Sequence, residues 1–186
     1  MEVIPFTHLK GWMSPAEADS LCAVLEARSD WTQGRIRMFG REVPEPRLTF
    51  FEGDPGVRYT YAHRPLEGRG WSPELEALRD RFEREFGIRT NTVLGNLYRD
   101  GRDSMGWHRD HEPELGPDPH VVSLSLGATR DFDVRRDADR WTQRFALGHG
   151  DLMIMGTQSQ IKWTHAIPKR LKTKILRINL TFRHVL

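Results

Sequence analysis

Two stretches in the first half of the chain space their apolar residues at helical intervals. Ala18, Leu21, Cys22 and Leu25 form one stripe, and Ser14-Pro15-Ala16-Glu17 opens it with a hydroxyl cap, a proline at the first helical position and a glutamate three after the cap. Leu75, Leu78, Phe82 and Phe86 form the second, opened by Ser72-Pro73-Glu74 and stopped at Gly87. From Thr92 onward the texture changes to short β-type runs. Segments 92–98, 121–126, 131–135, 144–147, 151–155 and 175–183 predict strands, with turns at Asp100-Gly101 and Gly148-His149-Gly150-Asp151. Two helices followed by many short strands predict an α+β protein with a barrel-like or double-sheet β core that the helices buttress.

The last strand inverts the usual burial rule. Leu176, Ile178, Leu180 and Phe182 share one face, while Arg177, Asn179, Thr181 and Arg183 share the other. A solvent-exposed edge strand would show the same alternation. An anionic ligand held inside a barrel is the other reading, and it gives the doubly basic face a purpose. Upstream, His108 and Asp110 lie two apart, so on an extended segment both side chains point the same way. With His165 they make a two-histidine, one-carboxylate set, the arrangement non-haem Fe(II) oxygenases use to leave half of the coordination sphere open. Zinc or another divalent ion fits the same donors, because affinity alone does not select iron. His111 adjoins Asp110 and should point away from the ion, and His149 lies in a turn with a structural reading.

Composition narrows the picture further. A chain of 186 residues suits one domain with a substantial core. The formal net charge is only +2, so any basic surface for a nucleic acid must be local. The single cysteine, Cys22, excludes an internal disulfide, fits a reducing compartment and reads as a core residue. No apolar run approaches the roughly 20 residues that cross a bilayer. The first ten residues lack the basic-then-apolar order of a secretion signal. These features predict a soluble intracellular protein, cytoplasmic or nuclear, with no membrane contact and a monomeric state.

Taken in order, Asn96-Leu97-Tyr98, Asp100-Gly101, His108-Arg109-Asp110, His165 and Arg177-Ile178-Asn179-Leu180-Thr181-Phe182-Arg183 resemble the AlkB-type Fe(II)- and 2-oxoglutarate-dependent dioxygenases. A weaker likeness in Met38-Phe39-Gly40, Val43-Pro44 and Tyr59-Thr60-Tyr61 is to the duplex-repairing AlkB homologues. The resemblance implies a double-stranded β-helix (jelly-roll) in one domain, residues 1–90 forming a helical, nucleotide-recognising portion and 91–186 the catalytic β core. It also implies Fe(II) as cofactor, 2-oxoglutarate and O2 as cosubstrates, and alkylated DNA, or RNA, as substrate. The alkyl carbon on a base nitrogen would be hydroxylated and released as aldehyde.

The same resemblance assigns residues. His108, Asp110 and His165 become the metal ligands. Arg177 and Arg183 lie about 20 Å apart on a straight strand, so the strand must curve if both serve one small dicarboxylate. Arg177 then takes the distal carboxylate and Arg183 the metal side, with Asn96, Tyr98, Asn179 and Thr181 completing the cosubstrate pocket. Tyr61 stands where duplex-repairing homologues carry a stacking phenylalanine, opposite the His108 ring. Glu112 matches an acid near the exocyclic amine of the base, and His111 departs from the acid usual there. Phe39 reads either as a wedge that fills the stack vacated by a flipped base or as a core aromatic. Arg130, Arg135 and Arg136 read either as nucleic-acid backbone contacts or as a solvated basic turn. An oxygenase acting on RNA, protein or a small molecule would keep the triad without the wedge. A non-catalytic nucleic-acid-binding module would need neither cosubstrate arginine.

Overall fold

The computed structural model describes residues 4–38, 40–61 and 64–186. The first half of the chain runs β1 (Phe6–Leu9), α1 (Pro15–Glu26), β2 (Arg35–Met38), β3 (Arg41–Pro44), β4 (Leu48–Gly53), β5 (Arg58–Tyr61), β6 (Arg64–Glu67) and α2 (Pro73–Phe86). The second runs β7 (Thr92–Tyr98), β8 (Met105–His108), β9 (Val121–Gly127), β10 (Arg130–Arg136), β11 (Thr142–Leu147), β12 (Leu152–Met155), α3 (Ser159–Lys162), β13 (Trp163–Ile167) and β14 (Arg177–Arg183).

Helices α1 and α2 both begin at the proline that the sequence places there, but only α1 has the expected cap. Ser14 caps α1 through the Glu17 amide while the Glu17 carboxylate accepts from the Ser14 amide, the reciprocal bonding expected. At α2 the Ser72 side chain makes no cap; its amide donates to Glu52 Oε2 at 2.7 Å instead. Gly87 ends α2 at φ 67, a left-handed conformation that glycine adopts without a Cβ clash.

Two antiparallel sheets enclose the interior. The larger has the order β1-β12-β9-β14-β7-β4 and the smaller β11-β10-β13-β8. Ala18, Leu21 and Leu25 of α1 and Leu75, Leu78 and Phe82 of α2 join Ile178, Leu180 and Phe182 of β14 in one buried cluster. The helices thus cover the outer face of the large sheet. Residues 177–183 are buried on both faces of the strand, and that is what lets Arg177, Asn179, Thr181 and Arg183 turn inward. Gly95 of β7 is required by packing, because an added Cβ would overlap the Phe50 ring.

The portion before residue 91, expected to be helical and nucleotide-recognising, holds strands as well as α1 and α2. Among the described residues it carries six strands, of which β1 pairs with β12 and β4 with β7, so the main sheet is built from both halves. Among the described residues no helix is long and apolar enough to cross a membrane.

Candidate active site

The metal-ligand candidates meet between the two sheets. His108 ends β8 and His165 lies on β13, and the two are direct partners in the antiparallel register, with ring centroids 4.2 Å apart. Asp110 follows two residues later and is 1% exposed. One ligand atom from each of the three lies within 4.8 Å of the others. His108 Nδ1 sits 2.8 Å from the Gly106 carbonyl, which can only accept, so the proton is on Nδ1 and Nε2 keeps its lone pair. Asp110 Oδ2 accepts from Arg183 Nε at 3.1 Å and Nη2 at 2.9 Å, leaving Oδ1 uncommitted. The Asp110 amide donates to Gln160 Oε1 at 2.8 Å, which fixes the backbone of the carboxylate from below.

Electrostatics favour the metal-binding protonation states. Burial, with His108 beside it, pushes His165 down to about 3. Burial likewise lowers His108. For Asp110 burial pulls upward, but Arg183 outweighs it through its charge and its hydrogen bonds, and the carboxyl stays below its usual range. Neutral imidazoles and an ionised carboxylate are the forms a divalent ion requires.

These residues share a narrow cavity of about 40 Å³ with Tyr61, Asn96, Tyr98, Arg177, Asn179, Thr181 and Arg183. Asn179 is spent on its neighbours: its amide donates to Ser123 Oγ and the Leu124 carbonyl, and its Oδ1 accepts from Thr181. Arg177 is not. It is 1% exposed, donates once to Ser125 Oγ at 2.9 Å, and leaves Nε and Nη1 buried without partners. Burial without a counter-charge lowers its pKa to about 10. An idle buried guanidinium calls for a carboxylate, and the distal carboxylate of 2-oxoglutarate fits. The uncommitted Asp110 Oδ1 and His108 Nε2 fit iron in the same way.

The base-recognition candidates divide. Tyr61 is buried, lines the cavity, and its hydroxyl accepts from Arg47 Nη2 at 3.1 Å. Glu112 has a buried Oε2 without a partner, and burial, then Asp110, raises its pKa. His111 is exposed and lies outside the cavity wall. Phe39 falls outside the described residues.

Arg130 requires a correction. It is 1% exposed and donates to the carbonyls of Asp100, Asp103 and Pro168, so it ties loops together inside the fold and cannot reach a phosphate. Arg136 pairs with Asp139, whereas Arg135 stacks on Trp107.

Several participants escaped the sequence reading. Arg47 joins Asn96 Oδ1 to Tyr61, and fully buried Glu45 lies against Arg47 and Arg64. Ser123 and Ser125 carried a signal, since they alternate with Val122, Leu124 and Leu126 as the polar positions of β14 alternate with its apolar ones.

Comparison with known proteins agrees with this geometry. A family model described as the 2OG-Fe(II) oxygenase superfamily matches residues 5–183. DNA oxidative demethylase ALKBH2 of Homo sapiens is 37% identical over 182 residues, covering 92% of this chain and 70% of that protein. Alpha-ketoglutarate-dependent dioxygenase alkB homolog 3 of Rattus norvegicus is 38% identical over 188 residues, covering 94% of this chain and 62% of that one. A solved OsALKBH1 structure shares the fold, with a TM-score of 0.64 at 17% identity over 99% of this chain and 98% of its own. A polar face turned inward against two histidines and an aspartate thus has its explanation in descent: the chain belongs to the 2OG-Fe(II) oxygenase superfamily and is an AlkB-type Fe(II)/2-oxoglutarate-dependent dioxygenase.

Proposed function

We propose that this dioxygenase repairs N-alkylated bases in DNA, of the 1-methyladenine and 3-methylcytosine type, by hydroxylating the alkyl carbon and releasing it as aldehyde. The observation that carries the reading is an aromatic wall, the Tyr61 ring, in the same cavity as His108 and Asp110. Such a wall suits a planar base flipped out of its stack. The names of the ALKBH2 and alkB homolog 3 relatives support it.

His108, His165 and Asp110 would hold the iron, and Arg183 would keep Asp110 ionised and in place. Arg177 would receive the distal carboxylate of 2-oxoglutarate, with Tyr98 beside its guanidinium, at 5.3 Å from the ring centroid. Iron, 2-oxoglutarate and O2 together supply the oxidation of the alkyl carbon. Glu112, its carboxyl raised by burial and by Asp110, would face the polar edge of the base. Arg47 would hold the Tyr61 ring against sliding through its hydroxyl bond. The narrow cavity leaves little room for bulk water beside the reacting carbon. We place the enzyme inside the cell, cytoplasmic or nuclear, as a monomer.

The test is to incubate iron-loaded protein with matched single- and double-stranded oligonucleotides carrying each lesion, following succinate and oligonucleotide mass together. Conversion of the lesion to the parent base is expected. Succinate formation that no alkylated nucleic acid stimulates would redirect the assignment to a protein or small-molecule substrate.

A further inference from the structure

Trp107 is 42% exposed although it directly precedes His108. It belongs to β8, the edge strand of the smaller sheet. The register of β8 against β13 shifts between His165 and Ile167, so β8 reaches the cavity through Met105 and His108 while Trp107 lies outside the cavity wall with its indole exposed. On that outer face the Arg135 guanidinium of β10 lies 4.1 Å from the indole centroid. Thr164 of the intervening β13 is the register partner of Arg135, so three strands contribute to one patch.

Other arginines of these strands and their loops have carboxylate partners. Arg109 pairs with Asp137, Arg136 with Asp139 and Arg144 with Asp133. Arg135 has no carboxylate partner among the described residues. Its Nε is buried without an acceptor, and Thr164 Oγ1 also lacks a partner. An idle N–H asks for an acceptor oxygen, and an exposed indole asks for a flat apolar face. A nucleotide offers both. An acidic peptide would answer the charge and leave the indole unused.

We propose that Trp107 and Arg135 form a docking platform for an unpaired nucleotide flanking the target base. The flanking base stacks on the indole while a phosphate or base oxygen accepts from Arg135 Nε. The inner side of β8 lines the cavity through Met105 and His108. A strand delivering a base to the cavity therefore rounds the β8 edge, where Trp107 begins one residue from His108. This inference rests on the nucleic-acid reading of the active site.

The test uses the full chain and a labelled single-stranded 12-mer carrying one 1-methyladenine, with binding read by anisotropy at one fixed salt concentration. Base stacking on an aromatic is worth about 1–3 kcal/mol, so Trp107→Ala should weaken binding about 5- to 150-fold. Trp107→Phe, which keeps a stacking ring, should recover most of it. Arg135→Gln should lower the slope of log affinity against log salt by about one unit, and Trp107→Ala should leave that slope alone. The wild-type advantage should vanish when the substrate is cut down to the lesion nucleoside. Should Trp107→Ala fold poorly, the phenylalanine and glutamine variants carry the test. Wild-type binding and repair of the 12-mer with no loss in Trp107→Ala would overturn the platform alone. No oligonucleotide binding by the wild type, or tighter binding of an acidic peptide, would overturn the platform and the reading beneath it.

Discussion

Replacing Arg177 with methionine should move two quantities in opposite directions. In the protein without cosubstrate, Arg177 is a buried cation with one hydrogen bond and two nitrogens, Nε and Nη1, left without partners. Its pKa is lowered to about 10 by burial. The unfolded chain therefore binds the proton more tightly than the folded one, and the charge opposes folding at every pH below about 10. An unsatisfied buried polar group costs about 1–3 kcal/mol. Methionine has similar length and no such group, so Arg177→Met should raise the ligand-free Tm. At about 2–4 °C per kcal/mol for a chain of this size, the rise is about 2–12 °C. Cosubstrate should act oppositely. At a hundred times Kd, 2-oxoglutarate should stabilise the wild type by about 2.7 kcal/mol, or about 5–11 °C. Losing one charge-assisted bond, worth about 1.5–3 kcal/mol, weakens binding about ten- to a hundredfold. The same concentration then contributes only about 0.4–1.4 kcal/mol. Scanning fluorimetry with a redox-inert divalent ion and titrated 2-oxoglutarate reads both effects. Arg177→Lys should recover the shift only partly, because an ammonium cannot present a planar fork. An arginine with a purely structural role would lose stability on substitution and keep the cosubstrate shift. That pair of results would refute the reasoning.

Other substitutions probe other parts. His108→Ala, His165→Ala and Asp110→Asn should each abolish succinate formation while circular dichroism stays near wild type; near-normal turnover would remove that residue from the metal site. Asp110→Ala should also destabilise the fold by about 3–5 kcal/mol, because Arg183 would be left buried and unpaired. Tyr61→Ala should slow repair of single- and double-stranded substrates alike, whereas Phe39→Ala should slow duplex repair far more; equal losses for Phe39→Ala would return it to the core. Asp151 accepts from the Gly11 and Gly148 amides at 2.7 and 2.8 Å and lies 2.9 Å from His8 Nε2. Burial opposes its ionisation, but these partners outweigh it and hold its pKa down. Its contribution is therefore complete above the unfolded value of about 3.9 and is lost as pH falls through the folded one. Asp151→Asn should accordingly cost about 1–3 kcal/mol at pH 7, with the gap closing below pH 4 in denaturant titrations.

The legible parts of this chain are those in which local chemistry and tertiary position agree. Ser14 and Glu17 cap α1 from within four residues, so the start of that helix could be read directly. Strands β1 to β6 run only four to six residues each, and β1 and β4 are held by β12 and β7 far along the chain. For β1 and β4 no local pattern suffices, because their stability lies in pairing with distant strands, whereas β2 with β3 and β5 with β6 are neighbouring antiparallel pairs too short to stand out. Gln160 was hidden for the same reason. It sits in a four-residue helix, and its value comes from the Asp110 amide it meets across the fold. His108 and His165 could be linked by residue type and order, but only the register of β8 with β13 brings their rings together.

Arg130 could have been read better. It shares strand parity with Phe132 and Val134, both buried, so alternation alone turns it inward, away from any phosphate. Arg130 and Arg177 are then two arginines with the same 1% exposure, separated by what their N–H groups meet. Three carbonyls take up the Arg130 guanidinium, and only its Nε is idle. One hydroxyl meets Arg177, and both Nε and Nη1 are idle. A buried cation whose donors are spent stabilises the fold; one whose donors are unspent waits for a ligand. Arg130→Met should therefore strand three carbonyls and lower the ligand-free Tm, the reverse of Arg177→Met. If both variants shift Tm in the same direction, hydrogen-bond satisfaction is not what separates a structural arginine from a binding one here.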